Sequence, residues 1–136
     1  MINKRQAMLH TYLGITLHHQ KKFNEALKTF QCATEIDPQN PLNEYQKSQV
    51  LLSLQRDQEA LDLLLQLNRS VPKEAPIHIN IGQIYKKLGK LDEAMKYFQR
   101  ALDLDPKDIN QVKSMIERIH QSQNEMNDEG EDAEFA

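Results

Sequence analysis

The sequence predicts an all-α fold: a right-handed superhelix of three helix-turn-helix repeats, closed by a C-terminal capping helix. Three observations carry this prediction. Pro38, Pro72 and Pro106 recur at one fixed interval, and Ala26, Ala60 and Ala94 recur at the same interval. Segments 7–40, 41–74 and 75–108, laid over one another, place small or apolar residues at matching positions. Beyond them, Ile109, Val112, Ile116 and Ile119 recur at spacings of 3, 4 and 3, which is one face of a helix.

The repeat is dense once aligned. Leu13-Gly14 falls on Lys47-Ser48 and Ile81-Gly82, and Leu17 on Leu51 and Tyr85. Phe30 falls on Leu64 and Phe98, and Ala33 on Leu67 and Ala101. A period of about 34 residues, with a small residue in the first helix, Ala in the second and Pro at the end, is the tetratricopeptide pattern. Each residue type has a task. Gly14, Ser48 and Gly82 let the first helix of a repeat (helix A) approach the second (helix B), and Ala26, Ala60 and Ala94 do the same from helix B. Phe30 and Phe98 fill the space beside them. The three prolines lack the amide hydrogen that would continue helix B, so they stop it.

Helix A is expected over residues 7–20, 41–54 and 75–88, and helix B over 24–36, 58–70 and 92–104. Asn40 suits the cap of the second helix A, and Pro41 its first turn. Residues 1–6 read as a leader. Residues 109–123 read as the capping helix, with Asp108 as its cap, Gln111 in the capping-box place, and Lys113, Glu117 and Arg118 on its polar face. The last twelve residues hold six acids and no base, so residues 124–136 read as a disordered acidic tail.

Composition excludes several classes. With 136 residues, the chain is one domain by length. No apolar run approaches the roughly 18 residues of a membrane span, and Met1-Ile2-Asn3-Lys4-Arg5-Gln6 lacks the apolar stretch of a signal peptide. A single cysteine, Cys32, rules out an internal disulfide framework and fits a reducing compartment. Net charge is −3, and without the acidic tail the body carries +3, too mild for a nucleic-acid surface. Neither nucleic acid nor membrane is expected as a partner.

Catalytic and metal chemistry finds little to work with. His18-His19 is the one adjacent histidine pair, and neighbours on a helix point about 100° apart, poor geometry for a shared ion. His10, His78 and His120 have no Cys or carboxylate at ligand spacing. Cys32, between Phe30 and Ala33, reads as a packing residue, with no cation nearby to activate the thiol. Lys86-Lys87-Leu88-Gly89-Lys90 reads as a solvated helix end favoured by the helix dipole. No glycine-rich phosphate loop, zinc-protease helix motif or nucleophile elbow is present. No catalytic residue, metal or cofactor is expected, and the chain is not expected to be an enzyme.

Binding is therefore expected along the inner wall built from helix A side chains. Thr11, Tyr12, Ile15, His18 and His19 should line it first, then Tyr45, Gln46, Gln49 and Leu52, then Ile79, Asn80, Gln83, Lys86 and Lys87. Tyr12, Tyr45, Gln49, Asn80 and Gln83 suit an extended peptide backbone, and Lys86 or Lys87 its carboxylate. The first helix A, from Ala7 to Leu17, is apolar on nearly every side, whereas an outermost helix should show a polar face. Met8, Leu9, Tyr12 and Ile15 are accordingly expected at an interface, covered by further repeats or by a partner. A small free-standing protein with an apolar end is the other reading.

Two family resemblances bear on the partner. Tetratricopeptide co-chaperones grip acidic chaperone tails with a clamp of Lys and Asn on the first helix A, Asn on the second, and Lys and Arg on the third. The matching places here hold Thr11 and Ile15, Gln46, then Pro76 and Asn80, none of them a cation. A second resemblance covers residues 8–118. Ile36-Asp37-Pro38-Gln39-Asn40-Pro41-Leu42, Val71-Pro72-Lys73-Glu74, Ile81-Gly82-Gln83-Ile84-Tyr85-Lys86-Lys87-Leu88-Gly89 and Leu102-Asp103-Leu104-Asp105-Pro106-Lys107 are similar to the last repeats of the cell division cycle protein twenty-seven family. Those proteins are scaffold subunits of the anaphase-promoting complex, a ubiquitin ligase. The ending Asp128-Glu129-Gly130-Glu131-Asp132-Ala133-Glu134-Phe135 also resembles their acidic tails. The resemblance implies a non-catalytic scaffold of cell division, in nucleus and cytoplasm, with other complex subunits and the Ile-Arg tails of activators as partners. A generic tetratricopeptide adaptor, co-chaperone-like and binding another partner's peptide, stays open.

Overall fold

The computed structural model describes residues 3–104, 107 and 109–134, with side chains as far as Met126. Among them are seven α-helices and no strand: α1 Lys4–His19, α2 Phe23–Ile36, α3 Pro41–Ser53, α4 Asp57–Ser70, α5 Ala75–Lys87, α6 Leu91–Asp103 and α7 Ile109–Glu134. The chain divides into two compact units, Met1–Pro72 with α1 to α4 and Lys73–Ala136 with α5 to α7.

Each expected pair of helices forms, and close approach explains the small residues. A Cβ on Gly14 would lie 2.6 Å from the Phe30 ring, and one on Gly82 would lie 2.7 Å from the Phe98 ring. Both rings are fully buried, which stabilises by about 1.5–3 kcal/mol each. In the first unit Ala26, Phe30 and Val50 form a core against which Ile15, Leu17, Phe23, Leu27 and Leu54 pack. Ala60, Leu61, Leu64 and Leu67 bury the inner face of α4. In the second unit Ala94, Phe98 and Ala101 of α6 meet Val112, Ile116 and Ile119 of α7.

The turns between the paired helices repeat as faithfully as the cores. Lys21, Gln55 and Gly89, at the same place in successive repeats, all adopt left-handed backbone with φ of 62°, 62° and 79°. In each, the next amide reaches back across the helix end: Lys22 N to Leu17 O, Arg56 N to Leu51 O, and Lys90 N to Tyr85 O, at 2.8–2.9 Å. This is the Schellman closure, which satisfies carbonyls that a helix end leaves open. At the other boundary, Asn40 caps α3 by accepting from the Leu42 amide at 3.0 Å, with Pro41 in the first turn.

Three boundaries differ from expectation. Lys4, Arg5 and Gln6 belong to α1 rather than to a leader, because Asn3 Oδ1 accepts from the Gln6 amide and caps the helix there. Helix α7 runs past residue 123 to Glu134. Residues 120–134 contain no proline and are rich in Gln and Glu, good helix formers, so low apolar content does not by itself end the helix. Ile109 stays exposed while Val112, Ile116 and Ile119 are buried, so the apolar face of α7 begins one turn late. Pro106, Asp108 and Phe135-Ala136 lie outside the described residues.

Candidate protein-interaction surface

In the first unit, side-chain bonds join α1 to α3 at two heights. Near the start of both helices, the buried Thr11 hydroxyl lies 2.5 Å from Asn43 Oδ1 and 3.0 Å from Ala7 O. Near their ends, His18 Nε2 lies 2.8 Å from Ser53 Oγ. Ser53 directs its own hydrogen to Gln49 O, so His18 Nε2–H supplies the hydrogen of that bond. Partial burial, and then the neighbouring His19 ring, lower the His18 pKa. His18 and His19 stack at 6.3 Å between ring centroids, and Phe23 meets His18 edge-on at 5.7 Å. This is a positioned aromatic corner, and no group of His, Cys, Asp or Glu among the described residues could hold a metal ion.

The predicted wall residues divide between the units. Tyr45, Gln46, Gln49 and Leu52 are half-buried along α3, with Ser48 donating to Tyr45 O and Gln49 Nε2 lying 3.5 Å from Ser48 Oγ. Tyr12 stands out beside Thr11, 61% exposed. In the second unit Asn80 and Lys86 are half-buried and Lys87 is exposed on α5. Gln83 turns its amide toward the Met115 sulfur of α7, at 3.9 Å. Tyrosine and amide side chains thus lie along α3 in the first unit, and amide and lysine side chains along α5 in the second.

Helix α1 presents an apolar face that differs by one residue from the expected one. Met8, Leu9, Tyr12 and Leu13 are 52%, 64%, 61% and 51% exposed. Ile15 instead packs on the Ala26–Phe30–Val50 core, because it lies on the opposite side of the helix from Leu13. Leu13 was not among the residues expected at this face; its counterpart Lys47, a charged residue, is the signal in the sequence that this position faces outward from its own helix pair. Cys32, expected to pack, is exposed on α2, one residue round the helix from buried Ala33.

Helix pairs with a glycine-on-phenylalanine contact, Schellman turns and an open wall of helix A side chains define a class of protein-binding repeat. The tetratricopeptide repeat profile matches residues 7–40 and 75–108, half of the chain. The chain belongs to the tetratricopeptide repeat family. Anaphase-promoting complex subunit 3 of Dictyostelium discoideum is 37% identical over 119 residues, 87% of this chain and 12% of that protein. Cell division cycle protein 27 homolog A of Arabidopsis thaliana is 37% identical over 120 residues, 87% of this chain and 17% of that protein. The chain therefore spans less than a fifth of the length of these relatives. Among solved structures, the first such domain of human RPAP3 superposes with a TM-score of 0.81 at 20% identity, covering 93% of this chain and 98% of that one. The Yersinia enterocolitica translocator chaperone SycD gives 0.83 at 18% identity, covering 91% and 90%. These likenesses concern the fold.

Proposed function

We propose that this chain is a non-catalytic protein-interaction scaffold, the repeat segment of an anaphase-promoting-complex subunit that acts in cell-cycle control in the nucleus. The observation that carries it is 37% identity across 87% of the chain to two such subunits from distant organisms. The physical chemistry supports the same reading. Polar side chains of the wall are amides, tyrosines and lysines, which hydrogen-bond a backbone or meet a carboxylate. Tyr12, Tyr45 and Gln49 in the first unit, and Asn80, Gln83, Lys86 and Lys87 in the second, are the residues assigned to peptide contact, and the exposed face of α1 with Met8, Leu9, Tyr12 and Leu13 is assigned to an interface.

Affinity purification of the tagged chain, read by mass spectrometry, tests the proposal. Recovery of other subunits of the complex is the expected result, and recovery of chaperones alone would favour the adaptor reading. A peptide ending in Ile-Arg should bind the isolated chain more weakly than micromolar, with amide shifts confined to Tyr45, Gln49, Asn80 and Lys86. Shifts elsewhere would remove the wall from the proposal.

A further inference from the structure

We propose that Tyr97 and Arg100 of α6 form an anchor for a glutamate or aspartate side chain of an acidic protein segment. The pair lies in the second unit, on a helix B and apart from the helix A side chains assigned to peptide contact. It does not rest on that assignment.

A stack of rings holds the pair in place. Tyr97 meets two side chains of α5, with ring centroids 5.9 Å from His78 and 5.7 Å from Tyr85. His78 is buried and Tyr85 half-buried, so the fold fixes both. Arg100, one turn further along α6, lays its guanidinium over the Tyr97 ring, 5.0 Å from the centroid. Tyr97 is half-buried and Arg100 exposed. A guanidinium resting on a rigid aromatic face is ordered before a partner arrives, which lowers the entropy lost on binding.

Packing of the helix pair does not demand these residues. Helix α6 meets the core through Ala94, Phe98 and Ala101. At the places of Tyr97 and Arg100 the second repeat has Leu63 and Gln66, and the first has Thr29 and Cys32. Both repeats nevertheless bury the same three core positions of helix B. Where Tyr85 stands, they have Leu51 and Leu17. The third repeat alone assembles the rings and the cation.

Charge then selects the occupant. No described carboxylate pairs with Arg100, although Asp103 follows three residues on, whereas Glu93 lies 3.7 Å from Lys96 and Glu59 is paired with Arg56. The Tyr97 hydroxyl makes no hydrogen bond among the described residues, so it is a further donor beside the guanidinium. A planar guanidinium offers a carboxylate two parallel N–H groups. One cation matches one carboxylate. A phosphate dianion calls for several cations, and Lys96 is already engaged by Glu93. The last turn of α6 also suits a cation through the helix dipole, but a lysine would serve there equally and the dipole requires no ring.

A blocked peptide, Ala-Glu-Ala-Glu-Ala, titrated into the full chain and followed by NMR, tests the proposal. The Arg100 Nε–H and Tyr97 ring signals should shift together and saturate. The same peptide with Gln for Glu should bind at least about tenfold more weakly, because it brings no charge. Arg100→Lys keeps the charge and the dipole contact but loses the fork, and should weaken binding about fivefold. Tyr97→Leu should weaken it as much with an unchanged helical spectrum, and where that variant loses helix Arg100→Lys decides alone. Lys96→Gln should leave the affinity within about twofold. A titration that leaves Arg100 and Tyr97 unmoved overturns the proposal. So does a Gln peptide that binds as well, or an Arg100→Lys chain that binds unchanged. A phosphoserine version of the peptide that binds more than about tenfold tighter than the glutamate one would overturn the carboxylate as occupant.

Discussion

Gly14 and Gly89 are both glycines of helix A or its turn, yet they are needed for different reasons. At Gly14 the obstacle is the buried Phe30 ring, 2.6 Å from where a Cβ would sit. At Gly89 nothing lies within 4 Å, and the requirement is the positive φ. Gly14→Ser should therefore destabilise through overpacking, by about 1–3 kcal/mol before a helix-propensity gain of under about 1 kcal/mol. The second repeat carries Ser48 with Leu64 where the first has Gly14 with Phe30, so Phe30→Leu added to Gly14→Ser should recover at least half of the loss in denaturant melts. Gly89→Ala should cost about 1 kcal/mol, and no second substitution nearby should restore it. At His18 the sign of a pH effect follows from its lowered pKa. The folded state binds its proton less readily than the unfolded chain does. Its stabilising contribution is complete above the ordinary histidine pKa and is lost as pH falls through that value toward the lower folded one. The melting temperature of the native chain should thus fall more between about pH 7.5 and 5.5 than that of His18→Gln, and equal slopes would remove His18 as the cause.

At the scale of elements, α7 does two jobs in its two halves. Val112, Ile116 and Ile119 close the second unit over Ala94, Phe98 and Ala101. From Asn124 onward the described side chains are exposed. Deleting residues 125–136 should leave the melting temperature of the dilute chain within error, because it removes no side chain from that core. Ile116→Ala should cost about 2–5 kcal/mol, because it empties a filled site between two helices. Calorimetry on both variants separates the halves, and a deletion as costly as Ile116→Ala would show that the acidic end is part of the folded core.

At the scale of the whole molecule, the repeats of the first unit are joined by a polar contact within an apolar seam. Asn43 is fully buried and its Nδ2 has no hydrogen-bond partner, while its Oδ1 meets Thr11. Thr11→Val should cost about 1–3 kcal/mol by leaving that oxygen unpaired as well. Asn43→Ile, the residue of the third repeat, removes the stranded Nδ2 together with Oδ1 while Thr11 keeps its bond to Ala7 O, so the melting temperature should not fall. The fold was legible because the repeat period records, three times over, local demands that each residue meets with its near neighbours. A glycine must face a phenylalanine sixteen positions on, and a proline must end the second helix. The exposed face of α1 was half legible, since periodicity marked the helix as apolar all round but not which side its own repeat would use. Only packing decided that, turning Ile15 into the core and leaving Leu13 outside. The same holds for His18 and Ser53, in successive repeats, whose bond exists because two helices meet at that height. Sequence alone determined the helices, their pairing and their order, because those depend on contacts within one repeat. Tertiary structure decided which side chains remain for partners, because exposure depends on what the neighbouring helices have already covered.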